Sequence, residues 1–217
     1  MTITIPQNYN EITIEQMIRW NKAVEENQTS ILEYQMVSIL CDVSFVDVLN
    51  IPLKEFREIL HDLTKLFETE PALIDRFEMN GITYGFIPNF DNLTTAEYID
   101  LDTYAETDIL RFLAVAYRPI QNKFGKLYNI EDYKGTEDNY LKMAHAPAMA
   151  FLGAKVFFWD LSRELLKHLP SFLEQELTAE QSTLLEKNGV GMHTLMQSLE
   201  EITSNIPKFT NLQYSNF

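Results

Sequence analysis

Arg76-Phe77-Glu78-Met79-Asn80-Gly81-Ile82-Thr83-Tyr84-Gly85-Phe86-Ile87 is the stretch that decides the fold class. Apolar and polar residues alternate on both sides of Asn80-Gly81, the period-2 pattern of a half-buried strand. Asn-Gly readily supplies the two positive-φ residues of a type I′ turn, so the segment reads as a β-hairpin, which Pro88 ends. Everything upstream has a different period. Thr13 with Gln16 and Ser30 with Glu33 fit capping boxes, in which the hydroxyl takes one orphan N–H and the downstream side chain reaches back. The first box opens a helix through Met17, Ile18, Trp20 and Val24, and the second one through Ile31, Leu32, Met36, Ile39 and Leu40. Ser44 with Asp47 starts a short turn, and Pro52 suits the first position of the next helix. There Leu53, Phe56, Ile59, Leu60, Leu63, Leu66 and Phe67 follow the spacing of one buried face.

Downstream, Thr94 with Glu97 forms a further box and restarts a helix. A second extended pair is expected at Val115–Ile120 and Leu127–Tyr133, around Asn122-Lys123-Phe124-Gly125. Pro147 begins the most apolar helix, from Ala148 to about His168, with small residues Ala146, Ala150, Gly153 and Ala154 near one face. Close packing of a neighbouring backbone is the reading those small residues favour, with an exposed apolar groove or oligomer seam as the alternative. Met143, Met149, Met192 and Met196 are adaptable side chains that would suit such a groove. Pro170 breaks the helix. Thr178 with Gln181 opens another, Asn188-Gly189 closes it, and one over Met192–Ile202 follows. The expected class is α+β and mostly α-helical, a helical bundle with one or two small antiparallel β-hairpins. The expected organisation is a helical front (1–68), a hairpin, helix and extended segment of the same domain (69–133), C-terminal helices (134–204) and a tail (205–217), together one compact domain.

Composition narrows the function classes. The 217 residues carry 17 Lys+Arg against 32 Asp+Glu, a formal net charge of −15. Residues 1–118 hold 8 basic and 20 acidic side chains, so the front is the acidic part. Nucleic-acid binding needs a basic stripe to neutralise phosphates, and anionic membranes repel such a chain in the same way. Cys41, the one cysteine, sits in an apolar run and reads as a buried, inert thiol. The apolar stretch Ala146–Phe158 is interrupted by Lys155 and is too short to span a bilayer, and the N-terminus lacks the pattern of a signal peptide; a cytosolic protein is expected.

Patterns for chemistry are weak. His61, His145, His168 and His193 contain no i, i+3 or i+4 pair that could ligate a metal from one helix. The glycine pairs Gly81/Gly85 and Gly189/Gly191 lack the rest of a phosphate loop and suit turns. The acids Asp91, Glu97, Asp100, Asp102, Glu106 and Asp108 could hold a cation or serve acid–base chemistry, but Glu97 is already a cap partner. No enzymatic activity, cofactor or metal is expected; an enzyme with a nonlocal carboxylate or histidine site is the contrasting class.

One run adds a resemblance. Asn80-Gly81-Ile82-Thr83-Tyr84-Gly85-Phe86-Ile87-Pro88-Asn89-Phe90 leads into Leu93-Thr94-Thr95-Ala96-Glu97-Tyr98-Ile99-Asp100-Leu101-Asp102. A hairpin ending Y-x-F-x-P followed by T-x-[GA]-E-[YF]-x-D-L resembles small proteins of tailed-phage morphogenesis modules, including those of phages of Bacteroidetes hosts, some described as tail assembly chaperones. The layout over roughly residues 10–170 is similar as well; residues after Pro170 depart from it. The resemblance implies a non-enzymatic phage virion-assembly protein, tail assembly chaperone-like. Its partners would be tape-measure, tail tube or neck proteins, with a homo-oligomer allowed, and its place the host cytoplasm during assembly. The alternative is a structural virion component such as a neck, connector or packaged protein. Tyr84, Phe86, Pro88, Thr94, Glu97, Tyr98 and Asp100 carry the resemblance as structural positions and as the candidate partner surface; none is expected to be catalytic, cofactor-binding or metal-binding.

Overall fold

The computed structural model describes residues 3–26, 31–125 and 127–161. By its internal contacts the chain divides into two units, Met1–Lys155 and Val156–Phe217. The helical front, the hairpin region and residues 134–155 all fall in the first unit. The expected helices after Pro170, the Thr178–Gln181 cap and the 205–217 tail lie outside the described residues.

Four helices lead: α1 (Ile14–Glu25), α2 (Leu32–Leu40), α3 (Phe45–Leu49) and α4 (Leu53–Leu66). The Thr13–Gln16 box is formed, with the Thr13 N–H donating to Gln16 Oε1 at 2.8 Å. The other end of the same amide donates to the carbonyls of Ile39 at 3.0 Å and Leu40 at 3.3 Å. One side chain therefore caps the start of α1 and the end of α2, which fixes these helices against each other. Ser44 caps α3 as expected, accepting from the Asp47 N–H at 3.2 Å. The Ser30–Glu33 box lies outside the described residues; Ile31 stands at the N-cap of α2 without a side-chain capping bond. Two local expectations need correction. Pro52 is the N-cap of α4 rather than its first helical residue. In α1 the inward positions are Ile14, Trp20 and Ala23, while Ile18 is exposed.

The hairpin forms as β1 (Arg76–Met79) and β2 (Ile82–Phe86), with Asn80 at φ 53° and Gly81 at φ 75°. A 3₁₀ turn (Phe90–Asn92), α5 (Thr95–Tyr104) and α6 (Ile109–Ala116) follow, then β3 (Tyr117–Phe124) and β4 (Leu127–Ile130). The α+β class holds, but the arrangement differs from a bundle with separate hairpins. Both hairpins join one four-stranded antiparallel sheet in the order β1-β2-β3-β4. Pairing Tyr84 with Pro119, Gly85 with Arg118 and Phe86 with Tyr117 closes the gap between them. The cause is the cost of an edge: an isolated two-stranded hairpin is marginal in water and leaves a row of unpaired backbone groups. Val115, expected in a strand, is the penultimate residue of α6, and the chain passes from Ala116 straight into β3 without a loop.

Tyr117 sits at that junction and is fully buried. Its ring lies 5.2 Å from both Phe77 and Phe86, and its hydroxyl donates to the Ile74 carbonyl at 2.7 Å. Tyr84 stacks on Phe77 at 5.5 Å, so the inner face of the sheet is a continuous aromatic layer. On the neighbouring positions Gly85 leaves room for Tyr128, whose hydroxyl donates to the Asp75 and Phe86 carbonyls, each at 2.9 Å.

A 3₁₀ segment (Tyr140–His145) leads to a last helix, α7, helical from residue 148 through 161. Its start is tied to the beginning of the chain: Ile14 N–H donates to Ala146 O at 2.9 Å and Ala148 N–H to Ile12 O at 2.7 Å. Ala146, Ala148, Ala150 and Ala154 are fully buried, as is Met143, and Met149 is 6% exposed. A Cβ on Gly153 would stand 2.2 Å from the Ala72 carbonyl oxygen, so Gly153 serves close packing against the 72–73 backbone. Met192 and Met196 lie outside the described residues. Because backbone cannot yield as a side-chain tip can, Gly153→Ala is expected to lower unfolding stability by about 1–3 kcal/mol, read from urea denaturation. Unchanged stability would mean that the packing is looser than this contact implies.

Candidate functional site

Helix α5 is unusual in what it buries. Its inward residues are Glu97 and Leu101, while Tyr98 is 65% and Ile99 55% exposed. No apolar stripe holds it down, although tertiary burial of such a stripe is what normally stabilises a short helix. Its anchorage is polar. The Thr94–Glu97 box closes in both directions: the Glu97 N–H donates to Thr94 Oγ1 at 3.2 Å, and the Thr94 N–H and hydroxyl both donate to Glu97 Oε2 at 2.8 Å. The other carboxylate oxygen, Oε1, accepts from Arg118 Nη2 at 2.5 Å. The two side chains are 6% and 10% exposed, so the ion pair is buried.

Arg118 comes from β3, where alternation places it on the face opposite Tyr117. Its guanidinium also lies 5.6 Å from the Tyr133 ring centroid, a cation–π arrangement. The Tyr133 hydroxyl donates to Asp100, one turn along α5 from Glu97. A ring of contacts thus runs Thr94, Glu97, Arg118, Tyr133, Asp100 and back into the helix. Within this ring the Arg118 Nε–H is buried without a hydrogen-bond partner.

Burial alone would raise the Glu97 pKa, but the Thr94 hydrogen bonds and the Arg118 charge outweigh it and hold the carboxyl below its ordinary value. Burial first, then the bond to Asp100, push the Tyr133 hydroxyl upward, keeping it a neutral donor.

The remaining acids of this region are dispersed among separate tasks. Asp108 caps α6, accepting from the Leu110 and Arg111 N–H groups at 3.0 Å each. Arg111 pairs with Asp108 at 3.3 Å and Glu137 at 2.6 Å, and sits 4.2 Å from the Tyr140 ring centroid. Glu106 pairs with Lys155 at 3.3 Å. Among the described residues no group of three or more His, Cys, Asp or Glu side chains is placed to hold a metal. Cys41 is buried, and burial pushes its thiol up to about 11. His61 lies on the exposed face of α4, and His168 and His193 fall outside the described residues. His145 borders a cleft of about 270 Å³ with Glu11, Thr13, Arg76 and Glu78.

Of the residues singled out by the motif, Tyr84 and Phe86 are in the aromatic layer, Thr94 and Glu97 form the cap, and Asp100 holds Tyr133. Pro88 and Tyr98 are at the surface. Arg118 and Tyr133 complete the site without having been expected there. A charge ending the apolar run Phe112–Tyr117, just before Pro119, is the signal that could have found Arg118.

These features define an α+β protein built around a buried polar clasp between a helix and a sheet. No protein-family model, curated protein or solved structure matches the chain. Among the described residues no helix is long and apolar enough to cross a membrane.

Removing one member of a buried pair leaves the other charged and unpaired, which costs about 3–5 kcal/mol. Glu97→Gln is therefore expected to destabilise the fold by that order, and Glu97→Gln combined with Arg118→Met to restore a large part of it. A double variant as unstable as the sum of its parts would show that the two residues do not act on each other. The pH dependence has a definite sign. A carboxyl lowered in the folded state stabilises above its unfolded pKa and loses that contribution as pH falls through the folded value. Wild-type stability should therefore decline in acid below the ordinary glutamate pKa of 4.5, and Glu97→Gln should decline less over the same window.

Proposed function

We propose that this chain is a non-enzymatic phage virion-assembly protein, tail assembly chaperone-like, that binds other tail or virion proteins. The observation that carries the reading is the use made of the resembling segment. Tyr84, Phe86, Thr94, Glu97 and Asp100 are spent on packing, capping and a buried ion pair, and Tyr98 is turned outward. A motif of this kind preserves a shaped surface, which is what a binding protein needs, and it presents no reacting group. The acidic exterior supports the same reading, because a protein that covers sticky surfaces must itself stay dispersed.

Tape-measure, tube or neck proteins are the partners this reading implies. Co-expression with the tape-measure protein of the same gene cluster should keep that protein soluble. Quantitative mass spectrometry of purified virions from the encoding phage should recover this chain at most in traces. Stoichiometric recovery from mature particles would instead make it a structural virion component.

A further inference from the structure

The arrangement of α5 is inverted. A carboxylate occupies its buried side and a tyrosine with an isoleucine its solvent side, whereas a surface helix ordinarily does the reverse. Buried polar groups and exposed apolar patches are the informative exceptions to ordinary burial, and α5 carries both. Tyr98 and Ile99 are adjacent, and Thr95 and Asp102 lie one turn to either side, so the four share one exposed face. The stretch that carries α5 is acidic in sequence, and Arg111, Arg118 and Lys155 pair with three of its acids. From Phe77 through Leu110 the sequence holds seven acids and no Lys, Arg or His. Glu97 is neutralised inside by Arg118, and Glu106 is paired with Lys155. Asp91 and Asp102 are exposed beside the helix or on it.

We infer that the Thr95–Tyr98–Ile99–Asp102 face of α5 is the docking surface for a protein segment that presents apolar side chains flanked by Lys or Arg. This deepens the assembly reading and rests on it for the kind of partner. Tyr98 supplies the large, rigid amphipathic contact that binding hot spots favour, and the surrounding acids select a basic rim and speed its encounter. A second copy of the chain docking through the same face is disfavoured, because a two-fold contact would set Asp102 and its neighbours against their own like charges. The polar clasp beneath α5 gives the face a fixed base, so the partner need not order the helix on binding.

The test uses the full chain and three synthetic amphipathic peptides: one with leucines on one face flanked by lysines, one with the lysines replaced by glutamates, and one with the leucines replaced by serines. Fluorescence anisotropy near physiological ionic strength should show binding of the leucine–lysine peptide alone. Tyr98→Ser/Ile99→Ser, which leaves the net charge unchanged, should weaken it by roughly tenfold or more. Asp102→Asn should weaken it by a smaller factor. The substituted side chains are exposed, and an unchanged thermal midpoint confirms that the variants are folded. Equal affinity for wild type and double variant, or no binding to wild type, would overturn the assignment. Concentration-dependent self-association that the double variant abolishes, seen by sedimentation, would give the face to a second copy and would also overturn it. None of these outcomes depends on the virion measurement, so the docking surface and the assembly role can fail separately.

Discussion

A carboxylate taken out of water at the first turn of a helix has to be satisfied or neutralised, and the Glu97 carboxylate is satisfied on both oxygens. Thr94 serves one through its N–H and hydroxyl, and Arg118 serves the other at 2.5 Å. Desolvating two charges is costly, and their attraction offsets that cost only when geometry and hydrogen bonding are good. Here the requirement is met by elements far apart in sequence. The cap belongs to α5, the guanidinium to β3, and the ring over the guanidinium to the segment after β4. For the charges to meet, β3 must pair with β2 in a register that sets Arg118 opposite Gly85. A one-residue slip would send Arg118 to the aromatic face and Tyr117 out of it. The ion pair and the aromatic layer therefore specify the same register from opposite faces of the sheet.

That dependence explains the division of labour among residues. The helical front is held by ordinary apolar burial, with Val37, Val48, Leu63 and Leu66 at most 1% exposed. Helix α5 relies on polar contacts instead, and this leaves its outer side available for Tyr98 and Ile99. Two arginines, 118 and 111, take up acids that in sequence look like a cluster. Each arginine also lies against a tyrosine ring. The acidity of residues 94–118 is thus partly internal, and of the acids there Asp102 stays exposed on α5.

Much of this was legible from local signals. Asn80-Gly81 has a turn preference set by its own backbone, and the Thr13, Ser44 and Thr94 caps depend on residues three positions away. The close approach at Gly153 followed from small residues repeating along one helix. The four-stranded sheet was not legible, because the β2–β3 pairing joins residues separated by two helices and has no local signature. The boundary at Ala116 was missed because an apolar run such as Phe112–Tyr117 carries neither the helical nor the strand period clearly. Glu97 was recognised as a cap partner, and its second role depended on Arg118, which only the folded chain brings near.

Polar contacts, rather than an apolar face, hold α5 on the sheet. Native-state hydrogen exchange at fixed pH on Arg118→Met addresses this most directly, since local openings are read element by element. Amides of α5 are expected to lose protection selectively, while those of α1, α2 and α4 keep wild-type values. Uniform loss across all helices, or α5 protection equal to wild type, would contradict it.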